Sequence, residues 1–133
     1  MTLEPISATE AEPLLLRAVT GKAGSDSGVG VRSVMRGAAL FGVRQGGAVV
    51  LAVALRRVDG DGGATCWVTA CGAVEGMGYI DALLPGVEQI AAEMGCVQLA
   101  FITARRGLVQ KMTRAGYKQT AVIMRRGLPD GCR

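Results

Sequence analysis

Residues 96–126 read CVQLAFITARRGLVQKMTRAGYKQTAVIMRR, and the parsing of that stretch decides the fold. The run Val97-Gln98-Leu99-Ala100-Phe101-Ile102 is short, apolar and partly β-branched, which suits a buried strand better than a helix. Arg105-Arg106-Gly107 breaks it. Leu108, Val109 and Met112 then recur at helical spacing, and Gly116 falls where a helix end favours a residue tolerant of positive φ. Residues 117–124, YKQTAVIM, resume an extended pattern. The expectation is strand, turn, short helix, glycine stop, closing strand.

Working back toward the N-terminus, residues 79–94 read as a helix. Ile80, Leu83, Leu84, Val87, Ile90, Ala91 and Met94 trace one face, and Gly95 caps it. Pro85-Gly86 either kinks this helix or restarts it with Pro85 at a first position. Before it, residues 38–44, 48–58 and 64–71 are strand candidates separated by Gly46-Gly47 and by Asp59-Gly60-Asp61-Gly62-Gly63. Strands joined so tightly pair antiparallel, giving a meander. Ser7-Ala8-Thr9-Glu10 fits a capping box opening a helix over residues 8–19, with Leu14, Leu15 and Val19 on its buried side. Residues 20–30 hold four Gly, two Ser and an Asp, and read as the most mobile loop.

With 133 residues, half of them hydrophobic, the chain is long enough for one core and too short for two ordinary domains. The net charge of +4 is mild, with acids spread among the bases. It fits a basic cleft for a phosphate-bearing ligand, or simply a solvated surface. Aromatic residues make up only 4% and no basic stripe stands out, so stacking platforms for nucleic acid are scarce. No CxxC pair occurs among Cys66, Cys71, Cys96 and Cys132, and there is no histidine. That argues against a structural zinc site and excludes histidine-based triads and bases. Cys66, Cys71 and Cys96 read as small core hydrophobes in a reduced compartment. No apolar run reaches the roughly 20 residues of a membrane span, so the expected location is the cytoplasm.

The order Arg-x-Gly-Leu-x-x-Lys-Met-x-x-x-Gly-Tyr, from Arg105 to Tyr117, resembles the closing β-α-β segment of the GNAT superfamily of N-acyltransferases. It is most similar to the small GNAT-like proteins of phages and prophages. The resemblance implies an α/β (α+β) GNAT-like single domain over residues 1–133. Its mixed central sheet would hold an antiparallel meander, followed by helix, strand, short helix and strand. The second helix usual between the first helix and the meander is expected to be missing.

The resemblance also implies a cofactor, acetyl-CoA or another acyl-CoA. In this family the turn before the central helix carries (Arg or Gln)-x-x-Gly-x-(Gly or Ala), and here the turn is Ala73-Val74-Glu75-Gly76-Met77-Gly78. Glycines let backbone amides at a helix N-terminus approach a pyrophosphate closely. The implied cofactor-binding residues are Cys71, Gly72, Val74, Gly76, Met77, Gly78 and Tyr79, with Arg105 and Arg106 flanking. A purely structural turn is the competing reading, since Ala73 replaces the polar position and Glu75 adds a negative charge. The family's pantetheine arm pairs with the strand before this turn, where that strand splays from its neighbour over residues 97–102. Alternation along the strand puts Trp67 and Cys71 on one face and Cys66, Val68 and Ala70 on the other.

No catalytic residue is named. Met112 stands where the family's acid tyrosine falls, Arg105 where an asparagine is common, and residues 66–71 contain no carboxylate. Glu75 is the nearest acid, Tyr79 a second candidate proton donor, and Tyr117 reads as packing. Cys71 has nothing basic near it to make a nucleophile. Two functions follow: an acyl-CoA-binding protein transferring its acyl group to an unidentified amine, or a catalytically silent GNAT-like component binding protein partners, such as a phage particle protein. The location would then be the host cytoplasm or a virion. Acceptor recognition would fall to variable loops such as residues 20–30.

Overall fold

The computed structural model describes residues 2–20, 30–74, 80–103, 106–124 and 126–129. The elements run β1 (Glu4–Pro5), α1 (Ala8–Thr20), α2 (Val31–Met35), β2 (Ala39–Gln45), β3 (Ala48–Val58), β4 (Ala64–Ala73), α3 (Ile80–Glu93), β5 (Cys96–Phe101) and α4 (Arg106–Arg114). The five strands lie in the order β1-β2-β3-β4-β5, antiparallel up to β4 and parallel between β4 and β5. The meander is therefore as the glycine-rich turns predict, and the mixed sheet arises because α3 carries the chain back before β5 begins.

The sheet is covered on both faces, so β3 reads as an unbroken apolar run rather than an alternation. Its residues Leu51, Ala52, Val53, Ala54 and Leu55 are all buried. Ala52 and Ala54 pack with Ala11, Leu14 and Leu15 of α1. Val53 and Leu55 pack with Cys66 and with Val87 and Ala91 of α3, while Leu51 meets Leu83. The α1 face carries Leu40, Val49, Ala54, Ala70 and Val74, but one row across it is nearly bare. Gly42, Ala52 and Gly72 sit opposite one another across β2, β3 and β4. A Cβ on Gly72 would lie 2.0 Å from the Leu14 carbonyl oxygen, and one on Gly42 2.5 Å from the Leu51 carbonyl oxygen.

The capping box opens α1 as expected: the Ser7 amide donates to Glu10 Oε1 at 3.0 Å and the Glu10 amide donates to Ser7 Oγ at 3.1 Å. Glu10 also pairs with Arg44 of β2, which in turn holds Glu4 of β1. One guanidinium thus ties the start of α1 to the first two strands. At the other end of the chain α4 closes in a Schellman motif. The Tyr117 amide donates to the Met112 carbonyl and the Gly116 amide to that of Thr113, with Gly116 at φ +97°.

Four expectations are corrected. A helix does lie between α1 and the meander: α2 is short, and Arg56 reaches from β3 to its Ser33 and Arg36 carbonyls. Its five residues carry no long apolar period, so the sequence gives no signal. Of the two readings of Pro85, the restart is overturned, because α3 is one helix from Ile80 to Glu93 with Pro85 inside it. Residues 117–124 form no strand; they are irregular, and Val122 and Met124 are 71% and 87% exposed. Period and composition make them β-formers, but strand state requires a hydrogen-bonded neighbour, and among the described residues they have none. Finally, a bulge at Thr69 overturns the alternation along β4, as described below. The loop expected to be mobile lies largely outside the described residues.

Two outcomes test this packing. Gly72→Ala should destabilise by about 3 kcal/mol, the upper part of the overpacking range, because the obstacle is backbone and not a movable side chain; thermal melting should show it as a Tm roughly 10 °C lower. Arg44 and the Ser7 amide hold the Glu10 carboxyl down from 4.5 to about 2. The unfolded chain therefore takes up this proton well above the folded one, and the stability Glu10 contributes above pH 4.5 disappears as pH falls to about 2. Glu10→Gln should flatten that limb in acid denaturation, and added salt should shrink the difference between the two proteins because the pair is exposed.

Candidate functional site

The candidate site lies at the C-terminal end of β4. β4 pairs with β3 along its length, but Leu55 faces Val68 while Ala54 faces Ala70, leaving Thr69 as an extra residue. This is a β-bulge, with two residues on one strand opposite one on the other. The Thr69 hydroxyl fixes it by donating to the Val34 carbonyl of α2 at 3.1 Å, with the Ala54 carbonyl a second acceptor at 3.3 Å. A hydroxyl at the extra position, with acceptors from both α2 and β3, is what makes the insertion stable there.

The bulge re-aims every residue after it. Cys66 and Val68 pack on the α3 side, Ala70 packs against α1, and Cys71 returns to the α3 side. Cys71 therefore shares a face with Cys66 and Val68, the reverse of what strict alternation assigns. Gly72, in consequence, lies under α1 with Leu14 above it.

The bulge is also where β4 loses its other neighbour. Parallel pairing with β5 runs from Ala64↔Cys96 to Val68↔Phe101 and stops, whereas β4 continues to Ala73. Residues 69–73 thus extend past the end of the β4–β5 ladder, and β5 gives way after Phe101 to the chain leading into α4. Beyond Val68↔Phe101 the described residues form no further β4–β5 pair. The resemblance implies a splay of the two strands here, but sequence reasoning had no signal for Thr69, whose role depends on acceptors distant in the chain.

Of the expected cofactor residues, Cys71, Gly72, Val74 and Arg106 are described. Cys71 is a free, half-buried thiol whose burial pushes its pKa up to about 12. Cys66 is likewise raised to about 11, by burial first and then by Cys96. Both are neutral near pH 7, so neither is an activated nucleophile. Val74 donates its amide to the Val50 carbonyl at 2.9 Å and packs against the α1 cluster. Arg106 is exposed as the first residue of α4. Gly76, Met77, Gly78, Tyr79 and Arg105 lie outside the described residues, as does Glu75.

Met112, where the resemblance puts a tyrosine, is 3% exposed and anchors α4 to the body. Tyr117 packs on Phe101 with ring centroids 5.6 Å apart, and its hydroxyl donates to Glu88 Oε2 at 2.6 Å. Burial first, and then Glu88, pushes the phenol above its ordinary range. Tyr117 is thus a joint between α3, β5 and the end of α4. Its partner Glu88 was not singled out in the sequence, where it is one more polar residue on a helix. No group of three metal-ligating side chains occurs among the described residues, and no helix is long and apolar enough to cross a membrane.

No protein-family model matches this sequence, and no curated protein resembles it closely enough to count as a relative. Solved structures do. An acetyltransferase of Trypanosoma brucei superposes with a TM-score of 0.63 at 18% identity, over 95% of this chain and 98% of that one. The ribosomal-protein-alanine N-acetyltransferase of Brucella melitensis biovar Abortus gives 0.62 at 18% identity, over 94% and 99%. A GNAT family acetyltransferase of Staphylococcus aureus gives 0.62 at 10% identity, over 96% and 100%. Near-complete coverage of both chains at such low identity is a likeness of architecture: this chain has the GNAT fold.

Proposed function

We propose that this protein binds an acyl-CoA, acetyl-CoA in the first instance, in the opening between the C-terminal halves of β4 and β5, and transfers the acyl group to an amine. The observation that carries this reading is the length of β4. It runs on through residues 69–73 after its last β5 partner, Val68↔Phe101. An extended ligand with amide groups, such as a pantetheine arm, can take the place of the absent strand by backbone hydrogen bonding. The sequence before α3 carries Gly76 and Gly78, residues without side chains to bar a pyrophosphate from a helix N-terminus, and the exposed Arg106 offers charge to the phosphates. The coenzyme's thioester supplies an activated acyl carbon. The chain's part is to bind and orient it, and to keep the neutral Cys66 and Cys71 thiols out of the reaction.

A second reading has one specific observation in its favour. The buried Met112 holds the place from which a tyrosine would protonate the leaving thiolate, and β4 offers no carboxylate to deprotonate the amine. A GNAT-fold protein that binds the coenzyme or a protein partner without turnover, as a component of a larger particle, would look the same.

Isothermal titration with acetyl-CoA tests the proposal. Micromolar binding with a raised Tm is expected. Gly76→Val should abolish it with far-UV circular dichroism unchanged, and Arg106→Ala should weaken it by about tenfold, the loss of one charged contact. Thiol release on adding a panel of primary amines then separates transfer from silent binding. Absence of binding at millimolar acetyl-CoA would reject the acyl-CoA reading outright.

A further inference from the structure

Among the described residues the sheet has two edges, and they are built differently. β1 closes one edge with two residues, Glu4–Pro5. Its shortness, its charge and its proline all discourage a further strand. β5 forms the other with six residues, CVQLAF, which carry no charge and no proline, and its Val97 is 69% exposed. An uncharged edge of that length is a template for pairing.

The same chain supplies a strand with no sheet. Residues 119–124, QTAVIM, are rich in β-formers and contain no charge, glycine or proline. Lys118 and Arg125-Arg126 flank them, the arrangement of basic residues that guards an aggregation-prone segment. Tyr117 anchors the start of this segment beside β5 through Phe101 and Glu88. The residues that follow nevertheless do not join that edge, and Val122, Ile123 and Met124 stand exposed.

Charge matches the two surfaces. A cavity of about 330 Å³ lies between α3, β5 and the chain leaving α4, and Glu88 is the charged residue among its described lining. Asp61 lies in the β3–β4 hairpin whose Gly63 abuts the Val97 side chain, and Glu93 ends α3. Arg57, beside them, is engaged by Asp59 and by the Met94 carbonyl. Acidic groups thus stand at the hairpin and α3 side of the edge, and the flanks of the segment are basic.

We propose that two copies of this chain exchange strands, residues 119–124 of each adding to the β5 edge of the other. The contact is reciprocal, so one two-fold axis satisfies both open edges and covers both apolar segments, closing the assembly at a dimer. Each sheet gains a sixth strand, and Val97, Val122 and Ile123 leave water together. Coenzyme binding is not required for this, and the pairing stands or falls separately from the acyltransferase reading.

Sedimentation equilibrium with amide hydrogen exchange tests it. The wild type should be a dimer with amides of residues 119–124 protected. Ala121→Pro removes a ladder donor in an exposed segment and should weaken the dimer by about tenfold or more with the far-UV spectrum unchanged. Val97→Lys, on the receiving edge, should do the same from the other side. A monomer at all concentrations overturns the proposal; if its residues 119–124 are protected, the segment pairs with its own β5 instead. A dimer that survives both substitutions unweakened overturns it as well, because its interface then lies elsewhere.

Discussion

The single extra residue at Thr69 organises this molecule. Its hydroxyl is satisfied by carbonyls from α2 and β3, and its insertion shifts the phase of β4 by one residue. Before it, even-numbered residues face α3; after it, odd-numbered ones do. Only with that shift does Gly72 come under α1, where nothing larger fits beneath the Leu14 carbonyl. The bulge also twists the end of β4 away from a straight ladder, and pairing with β5 ends at the residue immediately before it. Close seating of α1 follows from this insertion, and the described β4–β5 ladder ends beside it.

The two sides of the sheet do different work. On the α1 side Gly42, Ala52 and Gly72 form a row almost without side chains, so the helix backbone approaches the strands directly. On the α3 side Val53, Leu55, Val87 and Leu83 supply the bulk of the core. Among the described residues near the end of β4, the Cys66 and Cys71 thiols are neutral, and Tyr117 is committed to Glu88.

The C-terminal region shows how much a strand depends on its partner. Residues 117–124 have the composition of a strand, and the Schellman turn at Gly116 delivers them beside β5. They remain irregular because extended backbone gains little until its amides and carbonyls find a second ladder. The uncharged β5 edge and the uncharged residues 119–124 are complementary deficits in one chain.

The sequence by itself determined the helices with clear apolar periods, the meander defined by its glycine turns, the capping box at Ser7 and Glu10, and the glycine stops at Gly95 and Gly116. Each depends on contacts within a few residues, where spacing and side-chain type already carry the information. The resemblance in residues 105–117 added the architecture, which the superposed structures bear out. What only the tertiary structure decided was set by groups far apart in the chain. α2 is held by Arg56, and the phase of β4 by Thr69 against Val34 and Ala54. Gly72 has its place from the passage of α1, and residues 117–124 lack a strand because no described neighbour pairs with them. A period of two or 3.6 reports which face of an element is apolar. It cannot report which distant carbonyl accepts a hydrogen bond, and here those acceptors fix the bulge and the close helix.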